Sequence, residues 1–458
     1  MNKITDVTSC SGSRETAGGF LTPKLNKIIY ALFFLYSVYF LATYGTTMNS
    51  DGVYNSMRIL TRDKQPWMIM SYCASFMYIV WAALNFFYGK RAENPSVLSI
   101  ILTAFALRLV PAMIIYGANP DMRNFVLSQQ AAAEGHWETA IGRMPYLPFF
   151  SYILLLMHKI NIFFQLPEYF VIKLTPILFD SALAAALFYI TRDRNKAMHY
   201  AWNPVTILIF AGHGQFDSIT LFFIAAALYT YGKSPGTTGP GLLYGAAFQS
   251  KWWPFILLPV FLIRMKPVKS AIFLASWSLV LFAFSAFYLK YDPGLLLIPF
   301  KYSGIARDYG ISGLVYYIII KLLHGGPEVY AAALMFIKVI CGVAIILAVI
   351  LSRKSCIIKS SFFVILTFYI LCPGWSIQYF SWLALFMFLS NMENRPFFKY
   401  AFLMIFTIYF TVVLYDLPAF FGFSQVDLRN AFAIISFILA VSAVPLWINH
   451  YKAIKSGE

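Results

Sequence analysis

An acidic residue placed just after an apolar run is the first candidate for chemistry in this 458-residue chain. Asp121 follows the run 97–116. Pro120 favours the first turn of a helix and Gly135 favours its end, so the sequence predicts a short helix over 121–134. A carboxylate in that first turn accepts backbone N–H groups and stays ionised. Asp121 could therefore take a proton from a hydroxyl group, although a lone Asp after Pro is also an ordinary helix cap.

Two further charged residues in the same segment join Asp121 as candidate site residues. Arg123 lies two positions after Asp121, and Glu134 directly precedes Gly135. We expect both to contribute to substrate binding.

A second polar cluster interrupts an otherwise apolar stretch. Asn203 and Pro204 predict the start of a helix, and the glycines at 212 and 214 predict that this helix soon breaks. The break frees backbone groups that need partners, and it carries His213, Gln215 and Asp217. Polar side chains are costly among apolar neighbours. These three residues therefore form either a structural cluster between helices or a substrate site.

Two charged residues inside apolar runs have more than one interpretation. Lys251 interrupts the run 240–263, where it could extend to an interface beside two tryptophans or neutralise a lipid phosphate. Asp180 is expected to pair with Lys173 or with a neighbouring helix rather than to act in catalysis.

Later in the chain, two more groups of residues are candidates for binding. Arg307 and Asp308 lie in a long polar segment, where a cation would suit a phosphate group. Gln378, Tyr379 and Trp382 open an apolar run, and aromatic residues there are also ordinary interfacial anchors. The sequence has no P-loop, HExxH or GxSxG motif, so a water-soluble nucleotide substrate is not expected.

The elements that must position these residues follow from the composition. The chain is 60% hydrophobic, only 12% charged, and has a mean hydropathy of +0.69. Domains of ordinary size could not bury so much apolar surface, which excludes a soluble multidomain enzyme as well as a disordered or disulfide-rich chain. We predict an all-α polytopic integral membrane protein.

The net charge of +16 comes from short basic clusters that follow apolar runs, not from one continuous stripe. This distribution is typical of cytoplasmic loops, so no nucleic-acid partner is expected. Residues 1–26 would form a cytoplasmic tail. The basic stretch 191–196 fits poorly, because five crossings between 147 and 263 would leave it outside. Either one short segment is re-entrant, or these cations face the active side for a functional reason.

Fourteen apolar runs are candidate helices, and we expect 11 to 14 of them to cross the bilayer. They are 27–44, 67–87, 97–116, 147–164, 168–190, 199–212, 215–232, 240–263, 268–289, 328–351, 360–372, 376–391, 398–416 and 429–448. The predicted orientation gathers the polar, non-helical segments 117–146, 290–327 and 373–378 on the outer face. This asymmetry indicates chemistry at the membrane surface.

Taken together, these motifs resemble the GT-C superfamily of glycosyltransferases, which use a sugar carried on polyprenyl or dolichyl phosphate. The resemblance extends over roughly residues 97–390, and its closest parallels are the first mannosyltransferase of GPI-anchor synthesis and bacterial polyprenol-phosphate-mannose-dependent enzymes. It comprises an acidic residue followed by an aromatic, a small-residue stretch ending in Glu-Gly, an Asn-Pro helix before a polar break, and a Gln-Tyr-x-x-Trp motif. The positions are Asp121, Phe125, Ala131–Gly135, Tyr146, Pro148, Asn203, Pro204, His213–Asp217, Gln378, Tyr379 and Trp382.

The resemblance implies inverting transfer of a hexose such as mannose to a lipid- or glycan-borne acceptor, with short interfacial helices on the outer face. Asp121 would be the general base. Lys251, Arg307 or the cations of 191–196 would stabilise the leaving prenyl phosphate, and Gln378, Tyr379 and Trp382 would hold sugar or phosphate. Family members often carry an Asp-x-Asp-like pair, whereas the earlier position here is Asn119. Involvement of a divalent cation, magnesium or manganese, therefore stays open.

The same resemblance implies a division of the chain into segments, and the loop lengths favour one membrane over another. Residues 27–96 would be extra N-terminal helices, 97–390 the GT-C-like catalytic core, and 391–458 C-terminal helices. Short loops favour a bacterial inner membrane over the endoplasmic reticulum membrane. Two other classes fit the composition: a lipid-linked glycan polymerase or flippase, which predicts charges along a central cavity, and an ion-coupled transporter, which predicts inverted repeats.

Overall fold

The protein is described here from a computed structural model. The structure describes residues 22–54, 66–89, 94–117, 119–143, 146–297, 311–374, 376–390 and 425–456, with residues 400, 404, 405, 407 and 409. Over these ranges the regular structure is entirely helical.

The residues in these ranges form eighteen α-helices, α1 to α18 in chain order. They are α1 Pro23–Tyr54, α2 Pro66–Tyr88, α3 Val97–Ile114, α4 Asn119–Ala133, α5 Trp137–Gly142, α6 Phe149–Phe164, α7 Glu168–Thr191, α8 Arg194–Ala201, α9 Pro204–Thr206, α10 Asp217–Lys233, α11 Thr238–Ser250, α12 Leu258–Leu262, α13 Pro267–Ser285, α14 Ile311–Tyr316, α15 Pro327–Leu351, α16 Ile357–Leu371, α17 Tyr379–Leu389 and α18 Gln425–Ser456. Two π-helices, Ile207–Gly212 and Tyr317–Leu322, continue α9 and α14, and the 3-10 helix Trp253–Leu257 precedes α12.

Six helical segments in these ranges are long and apolar enough to cross a bilayer. They are Pro23–Ser50, Met68–Tyr88, Val97–Ile114, Glu168–Thr191, Pro267–Ser285 and Pro327–Leu351. Five shorter apolar helical segments of 10–17 residues accompany them. The predicted count of 11 to 14 crossings remains a prediction, and the predicted helix 398–416 lies largely outside the described residues.

Helix α1 is longer than the sequence predicted, because it continues from 44 to Tyr54 through residues expected to form a loop. Packing explains the extension. The Asn49 side-chain oxygen accepts the backbone N–H of Tyr169 at 3.3 Å. A Cβ on Gly45 would lie 2.6 Å from the Pro167 ring, so α1 passes the start of α7 at very close range. Tertiary contacts have overridden the polar composition of this stretch.

Other parts of the chain also differ from the prediction, and the last helix extends over Gln425–Ser456 instead of 429–448. The segment 290–327, predicted as non-helical, contains a helix over 311–322, whose sequence is mostly apolar. The predicted helix 199–212 begins earlier, at Arg194, and is interrupted at Asn203. The predicted helix 240–263 is broken at Lys251.

The helix bundle has two ends, which we call the Asp121 end and the basic end. At the Asp121 end the start of α7 meets α4, where the Gln130 amide donates to Glu168 at 2.9 Å. At the basic end Arg192, just after α7, interacts with Tyr229 near the end of α10. Lys269 near the start of α13 donates to the Pro235 carbonyl oxygen at 3.1 Å.

Helix α6 begins and finishes at the Asp121 end. Phe150 in its first turn stacks on Phe216, with ring centroids 3.5 Å apart. His158 lies 3.6 Å from Glu168, the first residue of α7. Because α6 does not run to the other end of the bundle, the basic stretch 191–196 lies at the same end as Lys269. The basic stretch 191–196 therefore shares an end with other basic residues, and the conflict that five crossings would create is removed.

A fully buried ion pair links α3 to α7. Arg108 is bonded to Asp180, and it also donates to the Ala201 carbonyl oxygen and the Thr206 hydroxyl, both at 2.9 Å. Tyr200 donates to the other oxygen of Asp180 at 2.7 Å. The expectation of a neighbouring-helix partner for Asp180 is thus confirmed, whereas the alternative partner, Lys173, is wrong. This pair anchors α8 and α9, which lead to the polar break.

Candidate functional site

The polar break between α9 and α10 is the centre of the candidate site. The Asn203 side chain caps α9 by accepting the Val205 N–H at 3.0 Å, as predicted. The π-helix then widens the turn, so that the Gln215 N–H reaches back to the Ile209 carbonyl oxygen at 3.0 Å. Gly214 has a φ of +79°, a conformation that a residue with a Cβ rarely adopts. Residues 213–216 therefore do not continue the helix, and the side chains of 213–217 do not follow a helical arrangement.

A buried lysine holds this break against the end of α3. The ammonium group of Lys173, which has no exposed surface, donates to the carbonyl oxygens of Ile115 and Gly212, the latter at 2.9 Å. Both carbonyls lie at C-terminal ends of helices, where the helix dipole favours a cation. Lys173 therefore joins the segment that leads to Asp121 with the segment that leads to Gln215.

The Gln215 side chain connects a carboxylate group to an ammonium group. Its amide nitrogen donates to the Asp121 carboxylate at 2.6 Å, and its amide oxygen accepts a hydrogen bond from the Lys251 ammonium at 3.1 Å. Asp121 lies in the first turn of α4, as predicted, and is only partly buried. One fully buried amide thus fixes the positions of a carboxylate and a cation from two distant parts of the chain.

Lys251 lies at the end of α11, where the backbone turns extended. Its ammonium forms an ion pair with Asp217, and it lies 4.6 Å from the ring centroid of Phe216 and 5.2 Å from that of Tyr146. The side chain is almost fully buried. Of the two interpretations of Lys251, the extension to an interface is therefore wrong, because the side chain points into the polar break; the neutralisation of a lipid phosphate stays a prediction.

Asp217 connects this network to a stack of aromatic rings. The Trp382 indole N–H donates to one Asp217 oxygen at 2.8 Å, while Lys251 holds the other oxygen. The Trp382 ring is sandwiched between Trp253 and Tyr379, with centroid distances of 4.0 and 3.9 Å. Both oxygens of Asp217 are occupied, so this carboxylate positions Lys251 and Trp382.

His213 borders the network from the break itself. Its Nδ1 lies 3.4 Å from the Gln215 amide nitrogen. Burial lowers the pKa of His213 below its usual value, and the neighbouring Asp121 carboxylate partly opposes that shift. A neutral imidazole adds no positive charge here, which leaves Lys251 as the cation of the network formed by Asp121, Gln215, Lys251 and Asp217.

Not all predicted site residues belong to this network. Glu134 is exposed and lies 3.4 Å from His136, and Arg123 is a partly buried residue of α4. Gln378 accepts a hydrogen bond from Ser376 at the start of α17. Arg307 and Asp308 lie outside the described residues.

Sequence reasoning missed two contributors to the site. Lys173 appeared only as an alternative partner for Asp180, although its position in an apolar helix was a signal of a buried role. Phe216 was hidden among many aromatics. It stacks on Phe150, and its ring centroid lies 4.6 Å from the Lys251 ammonium.

The oxygen donors around Asp121 do not fit a magnesium or manganese site. Such ions prefer several oxygen ligands, and the two oxygens of Asp217 are already bonded to Lys251 and Trp382. In the part of the chain that the structure covers, no three His, Cys, Asp or Glu side chains converge as metal ligands would.

Comparison of the chain with protein-family models, with curated proteins and with solved structures found no match.

Proposed function

We propose that the protein is a membrane glycosyltransferase of the GT-C type. It would move a hexose, such as mannose, from a polyprenyl-phosphate carrier to a lipid- or glycan-borne acceptor, with inversion at the anomeric carbon. The reaction would take place on the non-cytoplasmic face, at the Asp121 end of the bundle. A bacterial inner membrane is favoured over the endoplasmic reticulum membrane.

The observation that carries the proposal is the placement of Gln215 between Asp121 and Lys251. Sugar transfer from a phosphate carrier needs a base for the acceptor hydroxyl and positive charge for the departing phosphate. The 2.6 Å and 3.1 Å hydrogen bonds of one amide hold these two groups in fixed relation. A carboxylate and a cation brought together from α4 and the end of α11 match that requirement.

In the proposed reaction Asp121 accepts the proton of the acceptor hydroxyl. The hydroxyl oxygen then forms a bond to the anomeric carbon while the bond from that carbon to the phosphate oxygen breaks. Asp121 is the partly exposed acid of the network, so an acceptor can approach it. The Gln215 bond restricts the carboxylate to one orientation, which reduces the entropy lost on reaching the transition state.

The departing prenyl phosphate would gain charge as the bond breaks, and Lys251 would stabilise that charge. Lys251 already has an internal counter-ion in Asp217, so phosphate binding would exchange one anionic partner for another. Tyr379, which is partly buried at one end of this aromatic stack, would be the ring against which a sugar packs. Preorganised groups of this kind each contribute about 2.7–4 kcal/mol to lowering a barrier.

The direct test is transfer by purified protein from a radiolabelled polyprenyl-phosphate sugar to a membrane-lipid extract as acceptor. The Asp121→Asn variant should lose transfer by a factor of at least about 10² because it lacks the base. Glu138→Gln is the matched control, since Glu138 is an exposed acid near the same end of the bundle. It should retain the activity of the unmodified protein.

Transfer by Asp121→Asn at the rate of the unmodified protein would remove Asp121 from the proposed role. If the unmodified protein formed no product but moved the labelled lipid across a vesicle membrane, the flippase alternative would replace the transferase proposal.

A further inference from the structure

A groove with entirely apolar walls lies on the outside of the bundle near the basic end. It has a volume of about 360 Å³ and runs between the segment 255–263 and the last turns of α15. Its walls are Phe255, Leu258, Pro259, Leu262, Ile263, Ile346, Val349 and Ile350. Several of these side chains are 45% exposed or more, among them Phe255, Ile346 and Ile350, so the groove opens to the surroundings of the protein.

The two walls of the groove are held together by Arg264, which directly follows Ile263. Its guanidinium donates to the Ser352 and Ser355 carbonyl oxygens at 2.8 and 3.2 Å and also to the Ser360 hydroxyl. These acceptors lie at the end of α15, in the connection after it and in the first turn of α16. The groove is therefore a fixed feature of the fold at the point where its walls reach the basic end.

Exposed cations surround this end of the groove. Lys266 follows one wall by three positions, and Arg353 and Lys354 follow the other wall by three and four. All three are exposed. The sequence has no Asp or Glu between 218 and 291 or between 329 and 392, so the walls and the connections that carry these cations contain no acid to neutralise them.

We propose that this groove binds one anionic phospholipid. An acyl chain would lie along the apolar walls, and the phosphate-containing headgroup would lie among Lys266, Arg353 and Lys354. Basic residues beside a gap between membrane helices are the arrangement that binds anionic headgroups. A zwitterionic lipid would fill the groove equally well but would gain less from the three exposed cations. The occupant is therefore a lipid with net negative charge, such as phosphatidylglycerol.

This site is separate from the proposed transfer site. Lys251 and Asp217 lie inside the bundle, whereas Arg353 and Lys354 are exposed at the basic end. The inference rests on the helices crossing a bilayer, but it does not depend on glycosyl transfer. A lipid-binding measurement can therefore succeed or fail independently of any transfer assay.

The test uses the full-length purified protein, delipidated in a neutral detergent. Binding of phosphatidylglycerol and of phosphatidylcholine with identical acyl chains is measured by native mass spectrometry. We expect phosphatidylglycerol to be retained preferentially. The double variant Arg353→Gln, Lys354→Gln should weaken its binding about thirtyfold and leave phosphatidylcholine binding unchanged.

Two matched controls separate the groove from general attraction to positive charge. Arg192→Gln with Arg194→Gln removes the same charge at the basic end, away from the groove walls, and should leave phosphatidylglycerol binding within about twofold. Ile346→Trp fills the groove and should prevent binding of both lipids. Ile340→Trp, on the same helix but outside the walls, should not.

Equal retention of the two lipids by the unmodified protein would overturn the proposal. It would also be overturned if the Arg192 and Arg194 substitutions weakened binding as much as those at Arg353 and Lys354, because the attraction would then belong to the whole basic end. Unchanged binding in Ile346→Trp would show that the lipid lies elsewhere.

Discussion

At the scale of single residues, the structure assigns different roles to side chains that look alike in the sequence. Asp121 and Asp217 are both acids near the break, but only Asp121 has an exposed face, while Asp217 has both oxygens bonded inside the bundle. Lys173 and Lys251 are both buried cations. Lys173 binds backbone carbonyl oxygens and Lys251 binds side chains. Position relative to the break, and not residue type, distinguishes these roles.

Gln215 provides the first prediction at this scale. Gln215→Met keeps a side chain of similar length but removes the hydrogen bonds to Asp121 and Lys251. Transfer should fall about 10²- to 10³-fold, as when a preorganised donor is removed, with unchanged gel-filtration behaviour. The rate is measured with the radiolabelled donor at saturating acceptor.

The control for this variant is Thr220→Val on α10, the helix that follows the break. The Thr220 hydroxyl is buried and has no hydrogen-bond partner among the described residues, so its loss should leave transfer unchanged. A Gln215→Met rate within threefold of the unmodified protein would show that the amide does not organise the site.

Arg108 provides a stability prediction. Arg108→Met leaves the fully buried Asp180 carboxylate without its cation, and removing one partner of a buried pair costs about 3–5 kcal/mol. The midpoint of thermal unfolding in detergent should fall clearly. The double variant Arg108→Met, Asp180→Asn should recover part of the loss, because no uncompensated charge remains. A double variant less stable than Arg108→Met would contradict this account.

At the scale of elements, local sequence signals predicted the helix caps and breaks at the site, but they did not predict the contacts between elements. The cap at Asn203 and the break at Gly214 were predicted because caps and helix breaks depend on neighbouring residues. The helical extension of α1 and the role of Lys173 were not predicted. Both depend on contacts with residues distant in the chain, such as Pro167 and Gly212, which no local pattern contains.

The family resemblance also marked a candidate site residue that local sequence patterns could not distinguish. Trp382 looks like any interfacial aromatic in the sequence, and only the Gln-Tyr-x-x-Trp match marked it as a site residue. The structure places its indole N–H on Asp217. Conversely, the same match marked Gln378, whose amide oxygen accepts a bond from Ser376 instead. A motif therefore located the region without distinguishing the residues within it.

Gly214 gives the prediction that belongs to elements. A Cβ at this position would lie 2.3 Å from the Met122 terminal methyl and 3.2 Å from the Lys173 side chain, and its φ of +79° disfavours any Cβ. Gly214→Ala should push α4, and with it Asp121, away from the break. We expect transfer to fall more than tenfold, measured as above, with a loss of stability of about 1–2 kcal/mol or more.

Gly232→Ala is the matched control, because this glycine lies on the same helix that follows the break and a Cβ there would meet nothing within 4 Å. It should keep activity and slightly raise stability. Equal losses in the two variants would show that the conformation of the break is not important.

At the scale of the whole molecule, the distribution of charge and the path of the chain agree. With α6 confined to the Asp121 end, the basic residues of 191–196 and 264–269 share one end. An excess of Lys and Arg in short loops indicates the cytoplasmic side of a membrane protein. The sequence could not yield this arrangement, since the length and hydropathy of α6 resemble those of a short crossing helix.

The arrangement predicts which residues share a side of the membrane. Single cysteines replacing Arg192, Lys266 and Glu134, all exposed, are introduced into a variant without the five native cysteines. In sealed inside-out vesicles a membrane-impermeant maleimide should label 192 and 266 but not 134, and in right-side-out vesicles the result should reverse. Detergent should expose all three positions and so controls for reactivity. If 192 were labelled together with 134, α6 would have to cross the membrane, and the proposed site would lose the single polar face on which both substrates must meet.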